Sequence, residues 1–197
     1  MTRTVAVLLD APRPDHVPRG LALAVGEKYA VRLLRVIARR TLESIESLGW
    51  EPVVWFAPAE ALPEMRRWLG DTIALYPRPS GDMGSTLATI AGQVSPDGGW
   101  LAVRPAGAGL TVELLERARQ AVDEGGLVFG ATTREDIYLL GGPCAWGDFV
   151  RELPWGEPEL APAIRSRLRD LGAGWAELPR LIEVADEDDL RAAGLLT

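Results

Sequence analysis

The stretch TVAVLLDAPRP, residues 4–14, decides the fold that this sequence predicts. Residues 4–9 form a short apolar run with β-branched side chains, and the two prolines that follow Asp10 force an extended loop. A run that is apolar at consecutive positions is typical of a parallel strand covered on both faces. We therefore expect residues 4–9 to form a buried first strand in an α/β sheet.

Strand and helix patterns alternate along the rest of the chain. Further apolar runs predict strands over 51–57, 72–76 and 100–103, and periodic apolar residues predict helices over 21–48, 58–69, 83–93 and 111–124. Two adjacent runs, 127–131 and 137–141, leave no room for a helix between them and predict a short antiparallel insertion. A helix over 158–171, a strand over 175–178 and a helix over 187–193 complete the pattern. The alternation predicts a three-layer αβα fold with a mainly parallel, doubly wound sheet. In that sheet the strands over 4–9, 51–57, 72–76 and 100–103 are expected to be parallel and central.

Length and composition indicate a single globular domain over residues 1–197. The net charge of −7 has the wrong sign for a protein that neutralises nucleic-acid phosphates, so we expect no nucleic-acid partner. One cysteine, Cys144, and one histidine, His16, exclude a disulfide framework and a Cys/His metal cage. We expect no signal peptide and no membrane span, hence a cytoplasmic protein. The seven tryptophans leave room for an interface in a homo-oligomer, although core packing explains most of them.

Few residues carry an obvious chemistry. The sequence has neither a dinucleotide-binding glycine motif nor a Walker motif. Gly107-Ala108-Gly109, beside Arg104, suits either an anion site or a tight turn, and the turn is the simpler interpretation. His16 is expected to be an exposed loop histidine rather than a general base. No catalytic residue can be assigned from these patterns.

An acidic group near the end of the chain allows two interpretations. Glu183, Asp186, Glu187, Asp188 and Asp189 offer the oxygen ligands that magnesium or calcium prefers. Asp186 also directly precedes the last predicted helix, with Asp189 three residues further on, which is the spacing of an N-terminal helix cap. The cap is the favoured interpretation.

Several segments together resemble one family. These segments, in chain order, are VAVLLDAPRPDHVPRGLALAVGE (5–27), PSGDMG (79–84), YLLG (138–141), LPW (153–155) and VADEDDL (184–190). In order and spacing they are similar to the bacterial nucleotide-diphospho-sugar transferase-like proteins, relatives of cofactor guanylyltransferases and of glycosyltransferases with the GT-A fold. The resemblance covers almost the whole chain and implies the same αβα fold.

The resemblance also implies a nucleotide site at the carboxyl end of the sheet. The first loop and the GDMG loop converge there in the family, and the corresponding candidate nucleotide-binding residues are Leu9, Ala11, Arg13, Arg19, Gly81 and Asp82. The implied ligand is a nucleotide or a nucleotide sugar. We expect these six residues to lie within reach of one ligand.

The chain departs from the family where metal and phosphate would bind. Ala106 and Ala185 stand at the aligned positions of two metal-binding aspartates, and Pro18 and Gly20 replace basic residues of the phosphate loop, which leaves Arg19. Alanine cannot coordinate a metal, and the transfer reaction needs cations to neutralise a diphosphate leaving group.

Two hypotheses about function follow from these departures. In the favoured one, the domain has lost standard metal-dependent catalysis, needs no cofactor and acts as a binding, regulatory or assembly module. The alternative is an active glycosyltransferase or nucleotidyltransferase that holds Mg²⁺ or Mn²⁺ through relocated ligands such as Asp82, Asp136 or Asp186.

Overall fold

The computed structural model describes residues 3–94 and 99–196. Its strands are β1 (Thr4–Asp10), β2 (Glu51–Ala57), β3 (Ala74–Pro77), β4 (Gly99–Val103), β5 (Gly107–Ala108), β6 (Leu127–Thr132), β7 (Ile137–Pro143) and β8 (Trp175–Glu183). They form one eight-stranded sheet in the order β3-β2-β1-β4-β7-β6-β8-β5. The sheet is mainly parallel, as the alternating sequence pattern predicts.

Helices cover both faces of this sheet. They are α1 (Arg19–Val25), α2 (Glu27–Ser47), α3 (Leu62–Leu69), α4 (Met83–Val94), α5 (Val112–Asp123), α6 (Gly147–Arg151), α7 (Leu160–Asp170) and α8 (Glu187–Ala192). The single helix predicted over 21–48 is two helices, because Gly26 takes a positive φ of 81° and breaks the chain of helical residues. Pattern alone also missed the short helix α6 and the two-residue strand β5.

The pairing of β1 to β4 confirms most of the predicted sheet and corrects one part of it. β1 lies between β2 and β4 and is parallel to both. β3 is parallel to β2 but lies at the end of the strand order, so its predicted central position was wrong. The exposure of β3 agrees with this edge position, because none of its four residues is fully buried and Tyr76 is 50% exposed.

The predicted antiparallel insertion is present and lies inside the sheet. β6 and β7 form an antiparallel pair, and β7 also pairs in the antiparallel sense with β4. The next strand, β8, is again parallel to β6. One reversed strand therefore joins two parallel sets, and the amino end of β7 lies at the edge where the parallel strands end.

Apolar side chains of β1 alternate between two core layers, which gives the three-layer architecture. Val5, Val7 and Leu9 pack in the layer that contains buried residues of α2, α3 and α5. Ala6 and Leu8 point to the opposite layer, with residues of α4, α6 and α7. Both layers use the same strand, because successive side chains of a strand point to opposite faces.

A close contact between Gly130 and Tyr138 fixes the packing of β6 against β7. A Cβ atom on Gly130 would lie 2.2 Å from Cζ of Tyr138, so the tyrosine ring occupies the space above the glycine. The hydroxyl of Tyr138 donates a hydrogen bond of 2.9 Å to the carbonyl of Pro179 in β8. Burial raises the pKa of this hydroxyl, which keeps it a donor at neutral pH. None of the helices in the described ranges is long and apolar enough to cross a bilayer.

Candidate functional site

The carboxyl ends of the parallel strands meet at one edge of the sheet. Asp10 ends β1, Arg104 follows β4, Thr132 ends β6 and Glu183 ends β8. Asp136 comes to the same edge because β7 runs in the opposite direction and begins there. Ligands of open α/β sheets bind at this edge, and among the described residues two neighbouring cavities open there.

The first, which we call the loop cavity, has a volume of about 150 Å³. It lies beside the end of β1, and the residues that line it include Leu9, Ala11, Pro18, Ala106 and Glu183. The cis peptide bond before Pro58 follows the neighbouring strand β2. Ala11 donates its backbone N–H to the carbonyl of Ala57 over 2.7 Å, which ties the first loop to the end of that strand.

The second, which we call the apolar cavity, has a volume of about 360 Å³ and lies between the sheet and α4. Its apolar lining includes Leu8, Met83, Leu87, Ala102, Leu140 and Trp155. Its charged lining consists of Asp82, Arg104 and Asp136. Leu8 and Arg104 line both cavities, so the two are neighbours across these side chains.

Arg104 lies at the centre of the site, where its guanidinium is close to three neighbouring groups. Its Nη2 donates to Oδ2 of Asp136 over 2.5 Å and lies 3.8 Å from Oε1 of Glu183. Its Nε donates to the carbonyl of Ile137. Glu183 is itself oriented by Thr132, whose hydroxyl donates to Oε2 over 2.7 Å. The guanidinium group thus lies between two carboxylates that come from different strand ends.

Asp82 lies at the start of α4, where its side chain acts as a local cap. Its Oδ1 accepts a hydrogen bond of 2.7 Å from the backbone N–H of Ser85. This hydrogen bond is the main cause that lowers the pKa of Asp82, with a further contribution from the Ser85 side chain. Asp82 therefore stays ionised at neutral pH beside the apolar cavity.

The structure distributes the six candidate nucleotide-binding residues over several places. Leu9 and Ala11 line the loop cavity, whereas Asp82 lines the apolar cavity. Arg13 donates to Glu64 of α3 over 2.7 Å. Both Arg19, the first residue of α1, and Gly81, which has a positive φ of 126°, are exposed, and neither is among the residues that line the two cavities.

The single histidine also lies at this edge. His16 is exposed, as expected for a loop residue, but it lines the loop cavity. One of its ring nitrogens, Nδ1, lies 3.1 Å from the carbonyl of Ala11. Gly107 and Ala108, which follow Arg104, form β5 and pair with the end of β8.

The acidic group after β8 forms the predicted helix cap. Oδ1 of Asp186 accepts from the backbone N–H of Asp189 over 3.0 Å, and Oδ2 of Asp189 accepts in return from the backbone N–H of Asp186. Arg134 forms ion pairs with both carboxylates. The hydrogen bond from Asp189 lowers the pKa of Asp186, and Arg134 lowers it further. This capping box confirms the interpretation favoured by the sequence.

The carboxylates at this edge are already engaged by other groups of the chain. Ala106 and Ala185 carry no side-chain donor. Of the three proposed replacement ligands, Asp136 binds Arg104, Asp186 binds Arg134 and caps α8, and Asp82 caps α4. Over residues 3–94 and 99–196, no three His, Cys, Asp or Glu side chains are grouped so that they could hold a metal ion.

Sequence reasoning did not single out Arg104, Thr132 and Glu183 as a unit. In the sequence, Arg104 stands out only as a neighbour of a glycine-rich turn, and Glu183 only as part of an acidic group. Their common signal is positional, because each lies at or directly after the carboxyl end of a strand. Trp155, which lines the apolar cavity, had no such signal because no strand precedes it.

Comparisons with known proteins identify the fold. No family model matches the chain, and no curated protein matches it in sequence. A solved protein from Desulfovibrio desulfuricans, provisionally assigned as a nucleotide-diphospho-sugar transferase, superposes with a TM-score of 0.85 at 18% identity. That superposition covers 94% of this chain and 84% of the other.

Two further solved structures are similar over almost their full lengths. The protein Rv0371c from Mycobacterium tuberculosis, solved with manganese, has a TM-score of 0.57 at 12% identity, with 99% and 98% of the two chains covered. A CMP:2-keto-3-deoxy-manno-octonic acid synthetase, solved with CTP, has a TM-score of 0.56 at 14% identity, with 98% of each chain covered. These likenesses, together with the sheet order and the strand-end site, show that the chain has the fold of nucleotide-diphospho-sugar transferases and nucleotidyltransferases.

Proposed function

We propose that this protein binds a nucleotide or a nucleotide sugar and does not carry out standard metal-dependent transfer. The observation that carries this proposal is the position of Arg104. Its guanidinium lies between Asp136 and Glu183 at the strand ends, where it lines both cavities. In this proposal a fixed organic cation at the strand ends takes the place of a divalent metal.

The charges around Arg104 support the loss of metal binding. Asp136 and Glu183 are the two carboxylates that come closest to this centre, and both already have Arg104 as a partner. A metal ion bound to these two carboxylates would deprive the guanidinium of its anionic partners and would be repelled by its positive charge. Loss of the metal also removes much of the electrostatic stabilisation on which this kind of transfer depends.

The size of the loop cavity supports the proposal that it binds one part of a nucleotide, the base or the ribose. Its volume of 150 Å³ is below the range of about 300–1,000 Å³ typical of whole-ligand pockets, so it suits a base or a ribose. Arg104 at its boundary can then contact a phosphate, because guanidinium groups bind phosphate oxygens in pairs of hydrogen bonds. In this arrangement the phosphate competes with Asp136 and Glu183 for the same cation, and we expect moderate affinity.

Isothermal titration with nucleotides and nucleotide sugars tests the proposal. We expect saturable binding of at least one of these ligands without metal, little change on addition of Mg²⁺ or Mn²⁺, and no product in a transfer or hydrolysis assay. Ala106→Leu, which adds bulk beside the loop cavity, should abolish binding. Leu23→Ala, at a residue that is 78% exposed on α1, is the matched control and should bind normally.

The alternative hypothesis of an active transferase is supported by one comparison, because a protein of this fold was solved with manganese. In that hypothesis Asp136 would leave Arg104 when substrate arrives and would bind Mg²⁺ or Mn²⁺ together with the phosphates. Metal-dependent turnover that is lost in Asp136→Asn would establish this alternative and refute the proposal. We further propose that residues 1–197 act as a single domain in the cytoplasm, on the grounds of composition and cysteine content.

A further inference from the structure

We propose that the apolar cavity binds a small uncharged molecule with an apolar body and a hydroxyl group. This cavity is separate from the loop cavity, to which the proposed nucleotide function assigns the base or ribose. The inference rests on the cavity's walls, its volume and the charges that line it. It does not depend on whether a nucleotide binds.

The walls of the cavity are formed by side chains from three parts of the fold. Leu8, Ala102 and Leu140 come from neighbouring strands, Met83 and Leu87 from α4, and Trp155 from the segment after α6. Leu8, Leu87, Ala102 and Leu140 are each at most 6% exposed, so the apolar walls belong to the core layer beneath α4. Water gains few hydrogen bonds against such walls, whereas an apolar ligand gains close contacts.

The volume sets the size of the ligand. At about 360 Å³ the cavity lies at the lower end of the range for small-molecule sites. Because one water occupies about 30 Å³ of liquid, the space corresponds to about a dozen waters. An aliphatic or aromatic molecule of roughly six to ten heavy atoms fits this volume.

The charged lining selects against ionised ligands. Asp82, Arg104 and Asp136 together carry a net charge of −1, so a carboxylate inside this cavity would meet net repulsion. An ammonium group would meet the guanidinium of Arg104 as well as the two carboxylates. Each oxygen of Asp136 already accepts one hydrogen bond, from Arg104 and from the backbone N–H of Ile137. Within the described part of the chain, Nη1 of Arg104 donates no hydrogen bond. A ligand hydroxyl can accept a hydrogen bond from Arg104 or donate one to a carboxylate of the lining without adding charge.

A sugar or a nucleotide fits these walls poorly. Each polar group that enters an apolar cavity without a partner costs free energy, and three side chains cannot satisfy the many hydroxyls of a sugar. The chemical class that remains is a small alcohol with a hydrocarbon body.

Methionine methyl groups provide a direct test by NMR. Met83 lines the apolar cavity, whereas Met65 is fully buried in the opposite core layer and serves as an internal reference. In protein labelled with ¹³C at the methionine methyls, we expect hexan-1-ol to shift the Met83 signal saturably and to leave the Met65 signal in place. Met83→Leu assigns the signal. Butan-1-ol should bind about 16-fold more weakly, since each methylene contributes about fourfold.

Matched ligands and variants make the test decisive. Hexanoate should bind at least tenfold more weakly than hexan-1-ol, and glycerol should cause no saturable shift. Ala102→Leu and Leu87→Trp, which add bulk to two different walls, should each weaken hexan-1-ol binding at least tenfold while the Met65 signal shows that the fold is kept. Ala106→Leu in the loop cavity should leave alcohol binding unchanged, which separates this site from the proposed nucleotide site.

Three results would overturn the inference. They are the absence of a saturable Met83 shift with any alcohol, equal affinities for hexanoate and hexan-1-ol, and unchanged binding in both bulky variants. Failure of nucleotides to bind in the separate titration would overturn the proposed function alone.

Discussion

Gly130→Ala tests the contact that holds β6 against β7 and, through β7, the position of Asp136. The new Cβ would lie 2.2 Å from Cζ and 2.5 Å from Oη of Tyr138, which is 1% exposed. Relief of this overlap requires the ring to move, which costs about 1–3 kcal/mol in a packed core. Movement of the ring also lengthens the hydrogen bond to Pro179, which contributes about 1 kcal/mol.

The sum predicts that Gly130→Ala lowers the free energy of unfolding by about 2–4 kcal/mol. For a chain of this length that corresponds to a decrease in Tm of roughly 5–15 °C. Urea unfolding followed by tryptophan fluorescence measures the change. Tyr138→Phe should cost only about 1 kcal/mol, because it removes the hydrogen bond and keeps the packing of the ring.

A double variant shows whether the ring is the cause. Tyr138→Leu removes the atoms that the new methyl group would meet, so Gly130→Ala should cost much less in that background. A loss below about 0.5 kcal/mol for Gly130→Ala alone, or strictly additive losses in the double variant, would refute the reasoning.

Three further predictions concern other parts of the chain. Arg104→Gln removes the charge beside Asp136 and Glu183 and should weaken nucleotide binding at least tenfold in calorimetry, with Arg32→Gln on the exposed side of α2 as a neutral control. Asp186→Ala should lower the Tm at pH 7 because it removes the cap of α8. The difference from wild type should shrink as the pH falls below about 4, because the depressed pKa makes the carboxylate stabilise the fold only while it is ionised. A pH-independent difference would contradict this. Gly26→Ala should cost about 1–3 kcal/mol in urea unfolding, since φ of 81° with ψ of 147° is a backbone conformation that side chains disfavour even where, as here, no atom lies nearby. Gly92→Ala within α4, also in open space, should instead stabilise the protein by up to about 1 kcal/mol, and equal effects of the two changes would rule out the backbone explanation.

The sequence predicted those features that local pattern determines. The apolar runs of β1, β2 and β4 and the helix predicted over 111–124 all follow from neighbouring residues. The break at Gly26 was missed because the apolar periodicity continues across it, and a single glycine within such a pattern is often tolerated. The edge position of β3 was missed because no single segment of the sequence determines the order of the strands.

The site was harder to predict because its contacts are distant in sequence. Arg104 and Asp136 are 32 residues apart, and the reversed direction of β7 brings them together. The capping role of Asp186 could be predicted, since its partner Asp189 is three residues away. The separation of Leu9 and Ala11 from Asp82 into two cavities depends on which face of the sheet each approaches, and the aligned motifs carry no such information.

The reversed strand β7 also determines when the sheet can be completed during synthesis of the chain. When residues up to Val103 have left the ribosome, β3, β2, β1 and β4 can pair, but the second side of β4 still lacks its neighbour. That neighbour arrives only with residues 137–143, so the nascent sheet carries an open, apolar edge during the synthesis of about 40 residues. Ribosome-stalled chains that end before β7 should consequently depend on chaperones, whereas chains that include it can close the sheet from within.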